Sequence, residues 1–180
     1  MKRSTPQHRR RAINALVIGS LLACTMSAIP ARAEQGIAHG RNATLVGTWE
    51  VIVGLVNCES GAPIGPTFQS LLTFNADGTM AEITNSPAFA PGQRSNGAGV
   101  WQRSGLRSFE ARSEAFILFT TPPAPPSSPG FTAGTQTISQ TIVFGKDADQ
   151  WTTNDAAVQF IDDGGNVYRQ ACAQAAAQRF

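Results

Sequence analysis

Between Leu45 and the last dozen residues, no stretch of useful length repeats its apolar residues at helical spacing. They alternate instead in short runs broken by Gly, Pro, Asn and Asp, the pattern of strands with one buried face and one wet face. Eight such runs are predicted: 45–57, 68–75, 79–85, 100–103, 107–120, 132–144, 150–161 and 167 onward. Asn75-Ala76-Asp77-Gly78, Ser104-Gly105 and Asp162–Asn166 read as tight turns. The loops Glu59–Thr67, Ser86–Gly99 and Thr121–Gly130 are longer, and the last contains five prolines, which keep it out of a sheet. Eight sequential strands with mostly hairpin connections predict an all-β, antiparallel up-and-down β-barrel, since closing the sheet removes both of its edges.

The formal charge of +2 misrepresents the part of the chain that folds. Six of the 14 basic residues and none of the 12 acids lie in residues 1–33, so residues 34–180 are net acidic. No cluster of Lys and Arg remains to grip phosphates, and nucleic acid is not an expected partner. The basic start, the apolar run Ala12–Ala23 and Ala31-Arg32-Ala33 form the three-part pattern of a secretory signal peptide. The expected organisation is a cleaved signal at 1–33, a flexible segment at 34–44 and one barrel domain at 45–180. The apolar run is short of the about 20 residues that cross a bilayer, and no transmembrane segment is expected. Leu21-Leu22-Ala23-Cys24 resembles a bacterial lipobox, so a lipid anchor at Cys24 is the alternative to an ordinary signal. Arg10-Arg11 weakly resembles a twin-arginine signal. The expected location is exported, either periplasmic or secreted.

Without Cys24, Cys58 and Cys172 remain, and an even count in an exported chain reads as one disulfide. Two buried free thiols are the alternative. After the signal, one histidine, His39, and no Cys-x-x-Cys spacing leave no expected metal site. The tail Ala171–Ala177 has helical propensity, yet strand geometry fits better. If the last strand pairs with the first and Cys58 faces Cys172, Arg179 becomes the diagonal neighbour of Trp49. Tyr168 and Gln170 then face out, while Val167, Arg169 and the alanines Ala171, Ala173, Ala175 and Ala177 face in.

Gly47-Thr48-Trp49 on the first strand and Arg179 on the last resemble the calycin superfamily, the lipocalins and their bacterial lipocalin-like relatives. The resemblance covers about Leu45–Phe180. It implies a lipocalin-like barrel in which Trp49 plugs one end and Arg179 lies over its ring, a contact with a cation–π component of about 0.5–2 kcal/mol. The chain departs from secreted lipocalins in lacking a Thr-Asp-Tyr motif mid-chain, a helix after the eighth strand and the usual disulfide placement.

An eight-stranded barrel is either filled by its own side chains or holds one small ligand. Alternation assigns Phe68, Leu72, Ala81, Ile83, Phe109, Ala111, Ala115, Ile117 and Phe119 inward, with the alanines leaving space. The pocket candidates are Leu55, Asn57, Phe68, Leu72, Phe109, Ile117, Phe119, Gln140, Arg169 and Ala171. A solid core filled by the phenylalanines is the competing expectation. Arg169 either meets a ligand carboxylate or pairs with Asp162, Asp163 or Asp155. Trp101 and Trp151 either stack a ligand or pack the core. Glu50, Glu82, Glu110 and Glu114 all alternate outward in this reading, so beyond Arg169 and Asp155 no inward acid or base supports catalysis. The longest loops share one end, which predicts the mouth there, with Phe89 and Phe131 available to cover it. The expectation is a barrel binding a small apolar molecule, with no cofactor. The alternatives are a filled envelope-interaction barrel and an enzyme acting on a small hydrophobic substrate.

Overall fold

The computed structural model describes residues 43–180. The signal at 1–33, Cys24, His39 and most of the 34–44 segment therefore lie outside the described residues. Of that segment Ala43 and Thr44 are described. Ala43 is buried, so tight packing begins ahead of the Leu45 boundary.

Eight strands follow in order: β1 (Gly47–Val56), β2 (Pro63–Phe74), β3 (Thr79–Thr84), β4 (Gly97–Arg103), β5 (Ser108–Ile117), β6 (Gly134–Phe144), β7 (Gln150–Asp162) and β8 (Val167–Arg179). Each pairs antiparallel with its neighbours, and β8 returns to β1, closing the barrel. Among the described residues there is no helix, so the alanine-rich tail is strand despite its propensity. Pairing on both sides, to β7 and to β1, overrides the intrinsic preference of alanine.

Several elements differ from the sequence reading. β2 begins at Pro63, so the predicted loop to Thr67 is half strand; β1 pairs with this extension past an irregularity in which Gly65, Pro66 and Thr67 of β2 stand opposite Gly54 alone. β4 begins at Gly97, and β5 stops at Ile117, which leaves Phe119 outside the sheet and 42% exposed. The β1–β8 register is offset from the expected one. Trp49 directly faces Arg179, and Cys172 faces Val56, while Cys58 lies past the strand end in the turn. The disulfide still forms, because that turn folds back: Gly61 donates to the Asn57 carbonyl at 2.8 Å, and the Cys58 and Cys172 Cα atoms are 5.2 Å apart.

The phase of β3 is reversed from expectation. Phe74 pairs with Met80, Leu72 with Glu82 and Ser70 with Thr84. Paired residues share a face, so Met80 and Glu82 point inward, whereas Ala81 is exposed and Ile83 is 53% exposed. At the other end of the chain, the register between β7 and β8 slips after Phe160–Arg169. The bulge rotates Tyr168 toward the mouth core and leaves Val167 exposed, the opposite of their predicted faces.

The interior holds two apolar cores. The first fills the end where the short β2–β3, β4–β5 and β6–β7 turns lie and includes Leu45, Trp49, Phe74, Phe109, Phe144 and Trp151. The second lies at the long-loop end around Ile117, Phe131, Val158 and Phe160.

Candidate functional site

The closed end is built from edge-to-face aromatic rings. Trp49 meets Phe144 and Trp151 at centroid distances of 5.6 and 6.0 Å, and Trp101 meets Phe74 and Phe109 at 6.1 and 5.8 Å. Both Trp101 and Trp151 thus pack in this core. Two arginines cover it. The Arg179 guanidinium carbon is 4.2 Å from the Trp49 ring centroid, and that of Arg103 is 4.5 Å from Phe109. Leu72 and Phe109, named above as pocket candidates, are core residues of this end.

A polar layer separates the two cores. Glu82 enters it from β3, 5% exposed, although the sequence alternation put it outside. Gly97 lies opposite on β4, and a Cβ there would come within 2.8 Å of Glu82 Oε2, so glycine supplies the room the carboxylate occupies. Ser113, on the otherwise apolar inner face of β5, donates its hydroxyl to Glu82 Oε2 at 3.0 Å. Arg94 reaches in from the β3–β4 loop. Its Nη2 donates to Glu82 Oε1 at 2.9 Å, its Nε to Gln136 Oε1 and its Nη1 to the Ser95 carbonyl at 3.2 Å. The two side chains of this ion pair are 4% and 6% exposed. A buried pair of charges is tolerable only with such full hydrogen bonding, because each ion has given up its water.

Above this layer, the mouth is capped by loops. Phe89, from the β3–β4 loop, lies 4.5 Å from Phe131, from the β5–β6 loop, and Phe131 lies 5.1 Å from Phe160 of β7. Gln93, fully buried, ties the two loops together. Its Oε1 accepts from Ala90 N at 3.0 Å, and its Nε2 donates to the Phe119 carbonyl at 2.9 Å and to Thr121 Oγ1 at 2.8 Å. Arg169 points inward from β8 but is engaged by the proline loop. It donates to the Gly130 and Pro129 carbonyls at 2.7 and 3.2 Å and lies 4.9 Å from the Phe131 ring. Neither Asp155, Asp162 nor Asp163 is its partner. Tyr168 bonds both N and O of Thr132 through its hydroxyl, latching the same loop.

The remaining candidates divide. Ile117 and Ala171 border the mouth core, and Leu55 and Phe68 are half-buried. Gln140 is half-buried where β6 parts from β7, between Ser139 and Val143. Asn57 does not enter the barrel: it is exposed, and its Oδ1 accepts from Glu59 N and Ser60 N, both at 2.9 Å, capping the turn. Phe119 is likewise excluded, since β5 has ended before it. Glu82, Arg94, Ser113, Gln136 and Gln93 escaped the sequence reading. Two signals were present. Parity across the Asn75–Gly78 turn places Glu82 on the face of Leu72, and a serine in phase with Phe109, Ala111, Ala115 and Ile117 marks a polar spot inside the barrel.

No protein-family model matches the chain, and no curated protein matches it. Among solved structures it is similar to EF1p2_mFAP2b bound to DFHBI, at 17% sequence identity and a TM-score of 0.47, over 76% of this chain and 94% of that one.

Proposed function

We propose that residues 34–180, after removal of a signal peptide at 1–33, form an exported, non-catalytic, lipocalin-like barrel domain from Leu45 onward that binds a small, mostly apolar molecule in the upper half of its interior. The carrying observation is the origin of the groups that fill the mouth. The strands contribute Ile117, Ile138, Val158, Phe160 and Tyr168 with the small residues Ala115, Ala171 and Ala173, and two loops add the rings of Phe89 and Phe131, which pack on Phe160. Side chains borne on loops can withdraw without unzipping the sheet, and the space they leave is apolar above and polar below. Trp49 and Arg179 seal the other end, and Leu55, Phe68, Ile117 and Ala171 are the wall residues assigned to the ligand. The bridge between Cys58 and Cys172 fits an oxidising compartment.

Titration with an apolar, environment-sensitive naphthalene fluorophore tests this. The protein is expected to bind it, and Phe89→Ala/Phe131→Ala is expected to bind several-fold tighter, because the competing rings are gone. Displacement by medium-chain alcohols should follow. Absence of binding in both proteins overturns the reading.

A second reading has its own observation. Ile52, Leu71, Ile83 and Phe180 are exposed along one groove on the outer face of β8, β1, β2 and β3. A filled barrel that presents this face to a protein partner would use it, and a barrel that binds no small molecule while associating through this face would establish it.

A further inference from the structure

The two loops that close the mouth are held very differently. The proline loop is tied at several points: Thr121 and Phe131 exchange backbone bonds of 2.8 and 3.0 Å, Arg169 holds the Gly130 and Pro129 carbonyls, and Tyr168 holds Thr132. A Cβ at Gly130 would lie 2.6 Å from Pro123 N, so this loop is also packed tightly on itself. Residues 86–92 of the β3–β4 loop, Ser-Pro-Ala-Phe-Ala-Pro-Gly, have no such ties. Among the described residues their hydrogen bonds stay local: Phe89 N donates to the Ser86 carbonyl at 3.4 Å, and Ala90 and Gln93 exchange two of 2.9 and 3.0 Å. Pro87 and Pro91 lack the N–H that could have formed others. Both ends of this stretch, by contrast, are pinned. Asn85 exchanges bonds with Gln69 of β2, its N donating at 3.1 Å and its Oδ1 accepting at 2.9 Å. Beyond Gly92, the Gln93 carbonyl accepts from Leu118 N at 2.8 Å, Arg94 bridges to Ile117, and Ser95 N donates to the Phe116 carbonyl at 3.0 Å. Phe89 can therefore lift while Gln93 and Arg94 stay, and the Glu82–Arg94 pair is left whole beneath it.

We propose that residues 86–92 are a flap that opens the mouth by itself, carrying Ala88 and Phe89 off the mouth core, with the proline loop and Phe131 as its fixed jamb. Packing, rather than hydrogen bonding, keeps the flap shut. Ala88 and Phe89 rest on the mouth core, and the Phe89 ring lies 4.5 Å from Phe131, 6.4 Å from Phe160 and 5.9 Å from the Arg94 guanidinium carbon. A segment with few bonds to its surroundings opens locally at a free energy below that of global unfolding. The hinge is Gly92, whose φ of +72° lies in the left-handed region and whose Cβ position has open space around it. The two prolines stiffen the stretch between the pinned ends, so it moves as one piece. The assignment rests on the apolar-ligand reading for what passes through, and it names the element that regulates entry; the opening itself needs no ligand.

Thiol labelling of Val158→Cys, a mouth-core position 5% exposed, reads the opening without any ligand. The thiol is expected to react with a small maleimide at a rate nearly flat in low urea, the mark of local opening, before joining the steep slope of global unfolding. Gly92→Ala penalises the closed state alone, because the open hinge leaves the left-handed region, and should raise the flat rate about fivefold. Tyr168→Phe, which releases Thr132 of the proline loop, should leave that rate unchanged. A rate that follows the global slope throughout overturns the flap, as does one raised by Tyr168→Phe and not by Gly92→Ala. Should Val158→Cys not fold, Ile117→Cys, 2% exposed in the same core, reads the same opening. Absence of fluorophore binding alongside the expected labelling overturns the apolar-ligand reading and leaves the flap standing.

Discussion

Arg179 does three things at once at the closed end. It lies over the Trp49 ring, donates to the Val46 and Thr44 carbonyls at 2.9 Å each, and pairs with Asp149 Oδ1 at 2.7 Å. Arg179→Met keeps the stem and removes all of these. It is expected to lower the unfolding free energy by about 1–3 kcal/mol in urea titration, through lost cation–π attraction and carbonyls left to water. In the polar layer the sign depends on whether one or both charges go. Glu82→Gln should cost about 3–5 kcal/mol by stranding Arg94, whereas Glu82→Gln/Arg94→Met should recover most of that loss, a non-additivity that a double-mutant cycle reads directly. Acid sensitivity has a different origin. The Asp77 carboxyl is held below its ordinary value of 3.8 by the Thr79 hydroxyl and then the Thr79 amide. Asp162 is held below 3.8 first by the Asn166 amide, then by its side chain. A depressed carboxylate stabilises the fold above its unfolded pKa, and the contribution disappears as pH falls through the folded value. Stability should therefore drop below about pH 4, and Asp77→Asn should flatten part of that drop in urea midpoints measured along the pH series.

At the scale of the strand, β4 depends on glycine for its approach to β5. A Cβ at Gly99 would sit 2.0 Å from the Arg112 carbonyl oxygen, which is backbone and cannot swing aside. Gly99→Ala is expected to cost about 1–3 kcal/mol and to speed amide exchange in β4 and β5 ahead of the other strands. The strands themselves were legible because alternation and turn chemistry report the same thing; all eight predicted runs correspond to strands. β3 shows where that reading fails. In Thr79–Thr84 the residues Ala81 and Ile83 are more apolar than Glu82, so hydrophobicity chose one face while the tight turn after Phe74 fixed the other. Turn geometry won, because a hairpin register shared with Leu72 and Phe74 cannot slip by one residue without exposing both. The polar layer was lost to the reading with that one strand. Asn57 and Phe119 failed for a related reason: alternation was carried past the point where each strand stops. Arg169 was placed on the correct face, but its partners are loop carbonyls, which no side-chain pattern announces.

Over the whole molecule, the seam that makes the sheet a cylinder joins the first strand to the last. Its two ends are secured differently. Toward the mouth, Cys58 and Cys172 are bonded across a sequence separation of 114 residues. A crosslink spanning that much chain restricts the unfolded state strongly, with an upper bound of about 4–5 kcal/mol. Reduction should lower the Tm, and the β1–β8 amides should exchange sooner than those of β5–β6; an unchanged Tm in reductant would contradict this. Toward the base, Arg179 stitches β8 to the residues that lead into β1. The one joint of the cylinder between non-consecutive strands is thus laced at its top and its bottom. On the proposed reading this seam stays shut and a molecule enters along the axis past Phe89 and Phe131, so the two loops would set which molecules pass and how long they stay.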